Sequence, residues 1–236
     1  MNIKKIVAAA VMTAAVTFGA AAKNHPYGMD IAVGIVGVDV FSSKHENTDW
    51  TMSNACVELF PIKVNTYCCP WLNNHLGIYG SLGLLWCGIE CGYKNKIGGV
   101  EYETTGVGYN FGLELMAGPA FGVDLGDSSV RFQVGAPLHF QFGVGAMVMD
   151  ADTSNRSSSL TVTKDFSYTA FGLGLTPQFR FAANSRCSFV VGMDFVFDFL
   201  YSRKFDNGSR GSIKVEKDPF HFGWRPYLGL GINFGD

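Results

Sequence analysis

The sequence predicts an all-β protein: an eight-stranded antiparallel up-and-down transmembrane β-barrel, crossing the membrane with its strands. Three observations carry this expectation: period-two alternation in segment after segment, connections that alternate short and long, and high apolar content without a helical span. The alternation is clearest from Val130 to Val148, where Val130, Phe132, Val134, Ala136, Leu138, Phe140, Phe142, Val144, Ala146 and Val148 occupy every even position. Arg131, Gln133, Gly135, Pro137, His139, Gln141, Gly143, Gly145 and Met147 occupy the odd ones. A strand turns successive side chains to opposite faces, so the segment reads as one long strand with an oily face and a polar, glycine-rich face. It far exceeds the roughly five or six residues of an ordinary soluble strand.

The N-terminus explains how such a chain would reach a membrane. Asn2-Ile3-Lys4-Lys5 is a basic start, Ile6 to Ala22 is apolar and alanine-rich, and Ala20-Ala21-Ala22 fits small-x-small cleavage before Lys23. Residues 1–22 are therefore expected to be a cleaved secretory signal, and 23–236 a single barrel domain. The polar Lys23-Asn24-His25-Pro26 argues against a retained helix, and the first cysteine, Cys56, lies too far along for a lipoprotein. Beyond residue 22 no run of about 18 apolar residues occurs. Yet 47% of the chain is hydrophobic, mean hydropathy is +0.15, and there are 29 glycines and 20 phenylalanines. Apolar residues spread in alternation suit a membrane barrel. The net charge of −2 offers no basic patch for nucleic acid.

Eight strands are expected near 27–42, 53–66, 74–91, 105–125, 130–149, 165–182, 188–204 and 219–234. The fourth sets Tyr109, Phe111, Leu113, Leu115, Ala117, Phe121 and Val123 against Asn110, Gly112, Glu114, Gly118 and Asp124. The sixth sets Phe171, Leu173, Leu175, Phe179 and Phe181 against Gly172, Gly174, Thr176, Gln178 and Arg180. In the seventh, Phe189, Val191, Met193, Phe195, Phe197, Phe199 and Tyr201 oppose Gly192, Asp194 and Asp198. The first two strands alternate less cleanly. Gly126–Ser129 and Ala183–Cys187 read as tight turns, while Ser43–Met52, Gly92–Thr104, Asp150–Lys164 and Lys204–Asp218 read as longer polar loops. Short turns and termini at one rim and four long loops at the other fit this rhythm. A soluble lipocalin-like barrel would invert the faces. An eight-stranded interior has room only for side chains, so the face rich in Phe, Leu and Trp belongs outside and the small face inside. The solvent face of a β-sandwich would be charged rather than glycine-rich.

The last strand sharpens the class. Phe220, Phe222, Trp224, Pro226, Leu228, Leu230, Ile232 and Phe234 alternate with His221, Gly223, Arg225, Tyr227, Gly229, Gly231 and Asn233. The pattern from Tyr227 through Gly229 and Ile232 to Phe234 resembles the terminal assembly signal of bacterial outer-membrane proteins, although two residues follow the aromatic. At the level of pattern the mature chain resembles the small outer-membrane barrels of the OmpX, OmpW and OmpA transmembrane-domain groups. The resemblance implies Sec-dependent export to the outer membrane of a diderm bacterium. It further implies contact with outer-membrane lipid and lipopolysaccharide or its equivalent, periplasmic chaperones, and insertion by the barrel-assembly machinery.

Glu58, Glu114, Arg131, Gln133, His139, Gln141, Gln178, Arg180, Asp194, Asp198 and Arg225 are the polar residues expected to line the lumen. Buried charges need partners, and both signs are present, so a hydrogen-bonded plug is expected ahead of a narrow solute path. The hairpin through Gly126–Ser129 should bring Asp124 to Arg131 and Glu114 to Gln141. The GxG pairs lie mid-strand, without the strand-to-helix context of a phosphate loop. No Ser/His/acid set and no metal-ligand spacing of histidines appears, so neither enzyme activity nor a cofactor is expected; a lipid A-modifying role ranks last. Asp150-Ala151-Asp152 lacks the glycine and glutamate of a calcium loop. Among six cysteines, Cys56 is expected to bridge to Cys87 or Cys91, with Cys68, Cys69 and Cys187 at the turn rim. The expected role is structural or narrowly permeable (porin-like), with adhesion to host or environmental ligands through the loops as the alternative.

Overall fold

The computed structural model of the protein describes residues 27–34, 37–44, 50–58, 62–72, 75–97, 100–125, 129–151, 160–182, 186–206, 212–215 and 217–234. The expected leader over 1–22 lies outside the described residues. Twelve strand segments follow: β1 (Tyr27–Gly34), β2 (Gly37–Lys44), β3 (Trp50–Glu58), β4 (Ile62–Trp71), β5 (Leu76–Ile97), β6 (Val100–Asp124), β7 (Val130–Gly135), β8 (Leu138–Ala151), β9 (Leu160–Phe181), β10 (Cys187–Asp206), β11 (Ser212–Val215) and β12 (Lys217–Phe234). All pair antiparallel. β1 and β2 lie end to end, with β12 on one side and β4 and β3 on the other. β4 and β3 pair with β5, β5 with β6, and β6 with β7 and β8. β7 and β8 pair with β9, β9 with β10, and β10 with β12 and the short β11. Each stave stands beside its chain neighbour, and β12 against β1 and β2 joins last to first. Such closure satisfies the backbone groups that an open sheet edge would expose to lipid.

Twelve segments stand where the sequence predicts eight uninterrupted strands, because several staves are broken. The expected continuous strand over 130–148 is divided at Ala136-Pro137. Pro137 has no N–H to donate, so the ladder lapses there. Neighbouring groups carry the pairing across: Ala136 N donates to Pro119 O at 2.9 Å and Gly174 N to Pro137 O at 2.8 Å. Register survives the break, with Gly135 opposite Ala120 and Leu138 opposite Ala117. The first two staves behave differently. Gly34 lies opposite Tyr227 and Val38 opposite Trp224, so the first stave gains one residue on β12. The second gains one on β5, with Ile62 opposite Leu84 and Glu58 opposite Cys87. Between themselves the two stay in step, Val33 facing Ile62 and Gly37 facing Glu58.

The expected loop Gly92–Thr104 is instead mostly sheet. β5 and β6 remain paired as far as Ile97 and Val100, because polar alternating residues satisfy a ladder in water as well as apolar ones do in lipid. The other expected loops are shortened likewise, since β2 runs to Lys44, β8 to Ala151 and β10 to Asp206.

Side chains divide by face. Phe142 and Leu173 remain 43% and 52% exposed on the outside. Arg131, His139, Gln178 and Asp194, from the same pair of faces, are wholly buried inside. A soluble barrel would show the reverse, so the apolar exterior requires a lipid solvent. One expected orientation is wrong. Tyr201 is buried inside rather than turned out with Phe197 and Phe199. A register shift between Asp198 and Leu200 inserts an extra residue and exchanges the faces beyond it.

Leu115 sits mid-way along the outward apolar run of β6, from Val107 to Val123. Leu115→Arg should therefore destabilise the folded barrel by about 2–4 kcal/mol. Urea titration of the protein refolded into phospholipid vesicles measures this.

Candidate functional site: the packed lumen

Small residues on the inner face make room for long side chains. At the turn-rim end, Arg180 lies flat over Gly28 and Gly231; a Cβ at either would come within 2.8 Å and 2.5 Å of its guanidinium. Arg180 pairs with Asp30 and donates to Ser188 Oγ and Asn233 Oδ1, each at 2.8 Å. Asn65 Nδ2 donates to Asp30 at 2.9 Å. Arg131 meets Asp124 across its hairpin at 2.9 Å.

At the next level Lys63 pairs with Asp194 and lies over the Tyr227 ring, 3.7 Å from its centroid. Tyr227 Oη donates to Gln178 at 3.1 Å, and Gln178 Nε2 to Gln133 at 2.9 Å. Tyr67 Oη donates to the Thr176 carbonyl at 3.0 Å, while Tyr79 and Ser81 both donate to Asn65 Oδ1. The Tyr67 and Tyr227 phenols cross the interior to strands they do not pair with, whereas the Gln178–Gln133 and Ser81–Asn65 bonds join neighbouring strands.

Further along, Arg225 pairs with Glu114 and donates to both Asp39 oxygens at 3.1 Å. Two imidazoles complete this level. His139 lies between Asp198, 2.7 Å from Nδ1, and Glu114, 3.2 Å from Nε2. His221 lies 2.5 Å from Asp198 by Nδ1 and 3.6 Å from Asp39 by Nε2. Buried Asp30, Asp39, Glu114, Asp194 and Asp198 thus face Lys63, Arg180, Arg225 and the two histidines. The signs balance when both imidazoles are protonated, each ring nitrogen then facing a carboxylate. Gln141 Nε2 donates to Tyr168 Oη at 2.9 Å, and the Tyr168 ring fills the space above Gly143. A void beside Lys63, Glu114, Asp194 and Tyr227 has room for about one water molecule.

Of the residues expected to line the lumen, Glu114, Arg131, Gln133, His139, Gln141, Gln178, Arg180, Asp194, Asp198 and Arg225 are all buried on the inner face. The side chain of Glu58 lies outside the described residues. Sequence reasoning missed Asp30, Asp39, Lys63 and Asn65, which sit in the two slipped staves. It also missed Tyr67 and Tyr79, whose rings read as apolar, and assigned His221 and Tyr227 no place in the lumen. The terminal-signal residues close the ring on β1, with Tyr227 opposite Gly34, Gly229 opposite Ala32, Ile232 opposite Met29 and Phe234 opposite Tyr27. The expected bridge from Cys56 to Cys87 or Cys91 involves side chains outside the described residues. In backbone register Cys56 faces Ile89, and Glu58 faces Cys87. Cys68 and Cys69 carry free thiols. Among the described residues no group of His, Cys, Asp or Glu is arranged to hold a metal.

A closed antiparallel barrel, apolar outside and charge-paired inside, defines a transmembrane β-barrel protein. No family model matches the sequence, and no curated protein matches it significantly. Among solved structures it is similar to Neisserial surface protein A, at 12% identity and TM-score 0.36, covering 89% of this chain and 97% of that one. It is also similar to outer membrane protease OmpT from Escherichia coli, at 9% identity and TM-score 0.43, covering 88% and 96%. The attachment invasion locus protein Ail of Yersinia pestis is similar at 14% identity and TM-score 0.33, covering 88% and 98%. These scores are low, and the fold assignment rests on the strand pairing and the two faces.

Removing one member of a buried pair strands the other. Arg225→Leu should cost about 3–5 kcal/mol, measured by the shift of the unfolding midpoint in vesicles. Lys63→Met and Asp194→Leu should each destabilise, whereas the double variant should lose clearly less than their sum in a double-mutant cycle.

Proposed function

We propose that this is a structural outer-membrane β-barrel whose lumen is closed by its own side chains. The supporting observation is the lumen network itself, in which Arg180, Lys63 and Arg225 each tie strands from different parts of the ring. An ion crossing would have to displace partnered charges in a space of low polarisability, at high cost. A structural barrel would contribute membrane integrity and carry surface segments on a rigid frame. Outer-membrane lipid, periplasmic chaperones and the barrel-assembly machinery are the partners proposed for it. No catalytic step is proposed, because both imidazoles are held between carboxylates instead of facing an open substrate site.

Planar-bilayer recording of the purified, refolded protein tests the closed lumen. The expected result is no stepwise conductance above the bare membrane in molar salt. Stable ohmic steps would overturn it and favour narrow permeability.

One observation favours a second role, surface contact through the end opposite the turn rim. The exterior of β9 turns from apolar to polar at Thr169, with Ser167, Asp165 and Thr163 also exposed. Such a wall would project beyond the lipid and present the connecting segments to host or environmental ligands. Replacing residues 152–159 and 207–211 with short Gly-Ser turns should leave heat-modifiable gel migration intact and remove any cell-surface binding.

A further inference from the structure

We propose that the C-terminal end of β4, through Leu72, is a membrane-interface anchor. In it, Trp71 and Leu72 enter the boundary between headgroups and acyl chains of the phospholipid leaflet beside the turn rim. The proposal rests on the barrel spanning a membrane.

Alternation alone would place Trp71 inside. Lys63, Asn65, Tyr67 and Cys69 share its parity on β4, and all four are buried. A register shift between Cys68 and Trp71 inserts the extra backbone that turns Trp71 outward, opposite the lipid-facing Leu76. Gly77 makes that shift possible. A Cβ there would lie 1.8 Å from the Cys68 carbonyl oxygen, so the displaced backbone occupies the space of a side chain. The next residue bears a conformational cost as well. Leu72 has φ of 48°, in the left-handed region that a leucine avoids at about 1 kcal/mol or more. Trp71 and Leu72 are left 54% and 69% exposed.

The turn is clamped to its surroundings. His75 N–H is shared between the carbonyls of Trp71, at 3.0 Å, and Leu72, at 3.2 Å. Gly122 N donates to His75 O at 2.7 Å, and His75 Nδ1 lies 2.8 Å from Gly122 O. The imidazole stacks on Phe121 at 6.1 Å between centroids. A strained backbone persists where surrounding contacts over-determine it, and here it holds two large apolar side chains out of the protein.

Continuity identifies the occupant. Leu76, Ile78 and Phe121 carry the exposed apolar exterior of β5 and β6 directly into the turn. Leu76 lies directly opposite Trp71, so the described apolar surface of β5 reaches it. An indole beside an aliphatic chain suits the membrane interface, where the ring body is apolar and its N–H meets water.

Depth-dependent fluorescence quenching tests this in phosphatidylcholine vesicles. One variant retains only Trp71, with Trp50, Trp86 and Trp224 changed to Phe; a second retains only Trp224, on the outer wall. A headgroup-linked nitroxide should quench Trp71 emission by roughly half, with a mid-chain nitroxide weaker, as for an interfacial indole. Aqueous iodide should have little effect. In the Trp71-only background, Leu72→Asn relieves the left-handed strain and should leave folding intact while reducing shallow-label quenching and raising iodide access. Trp71 open to iodide and quenched by neither label would overturn the anchor, leaving the turn free for a protein partner. If acyl-chain labels still quench Trp224 in that case, the membrane reading stands; if both indoles escape every label, the membrane reading itself fails. Unchanged Trp71 quenching in Leu72→Asn would also overturn the two-residue anchor.

Discussion

Arg225 stands between Glu114 and Asp39, within reach of both carboxylates, in a space walled by strands on every side. Its guanidinium is the nearest thing the interior has to bulk solvent for those two charges. The same condition applies wherever the lumen is polar. Lys63 answers Asp194, Arg180 answers Asp30, and the two imidazoles answer Asp198 from opposite sides. Desolvation costs several kcal/mol per ion, so each charge is tolerable only with its partner in place. The inward polar residues therefore specify which strands must meet and in what register. The apolar exterior cannot do so, because one greasy side chain serves lipid much as another does.

Space imposes a second condition that works with the first. Long side chains can lie flat in so narrow an interior only where the wall beneath them is thin. Glycine supplies that thinness: Gly28 and Gly231 beneath Arg180, Gly143 beneath Tyr168, and Gly192 beneath Tyr227. The glycine-rich face and the crowded lumen are thus two descriptions of one packing solution. A larger residue at these sites would evict the charge or phenol that the network needs.

These two conditions explain what was legible in the sequence. From β6 to β10 the alternation runs almost unbroken, so the faces of Glu114, Gln133, Gln178 and Asp194 follow from parity alone. Parity fails where a residue is inserted. Asp30 and Asp39 share an interior yet have opposite parity, because the first stave slips between them. Tyr201 is misplaced for the same local reason. Pro137 was visible in the sequence, but its neighbours Ala136 and Leu138 kept the period, so the break beneath the pattern was hidden. Buried tyrosines were missed because a phenol inside a barrel and one at a membrane interface look alike in one dimension. Partner choice was least legible, since Lys63 and Asp194 meet only once the ring has curved round on itself.

The distribution of these partners over the strands bears on how the ring closes. β12 carries His221, Arg225, Tyr227 and Asn233, which reach Asp198 on β10, Glu114 on β6, Gln178 on β9 and Arg180 on β9 respectively. Two of the lumen's basic groups, His221 and Arg225, therefore sit on the most C-terminal of the described strands. Until that strand docks, Glu114 and Asp198 have the single imidazole of His139 between them, and the half-formed wall holds more carboxylate charge there than one ring offsets. Closure of the seam and electrical neutrality of the interior then arrive together, as a latch engages its keeper. A barrel sealed in the wrong register would remain charged within, and so would be free to open and try again.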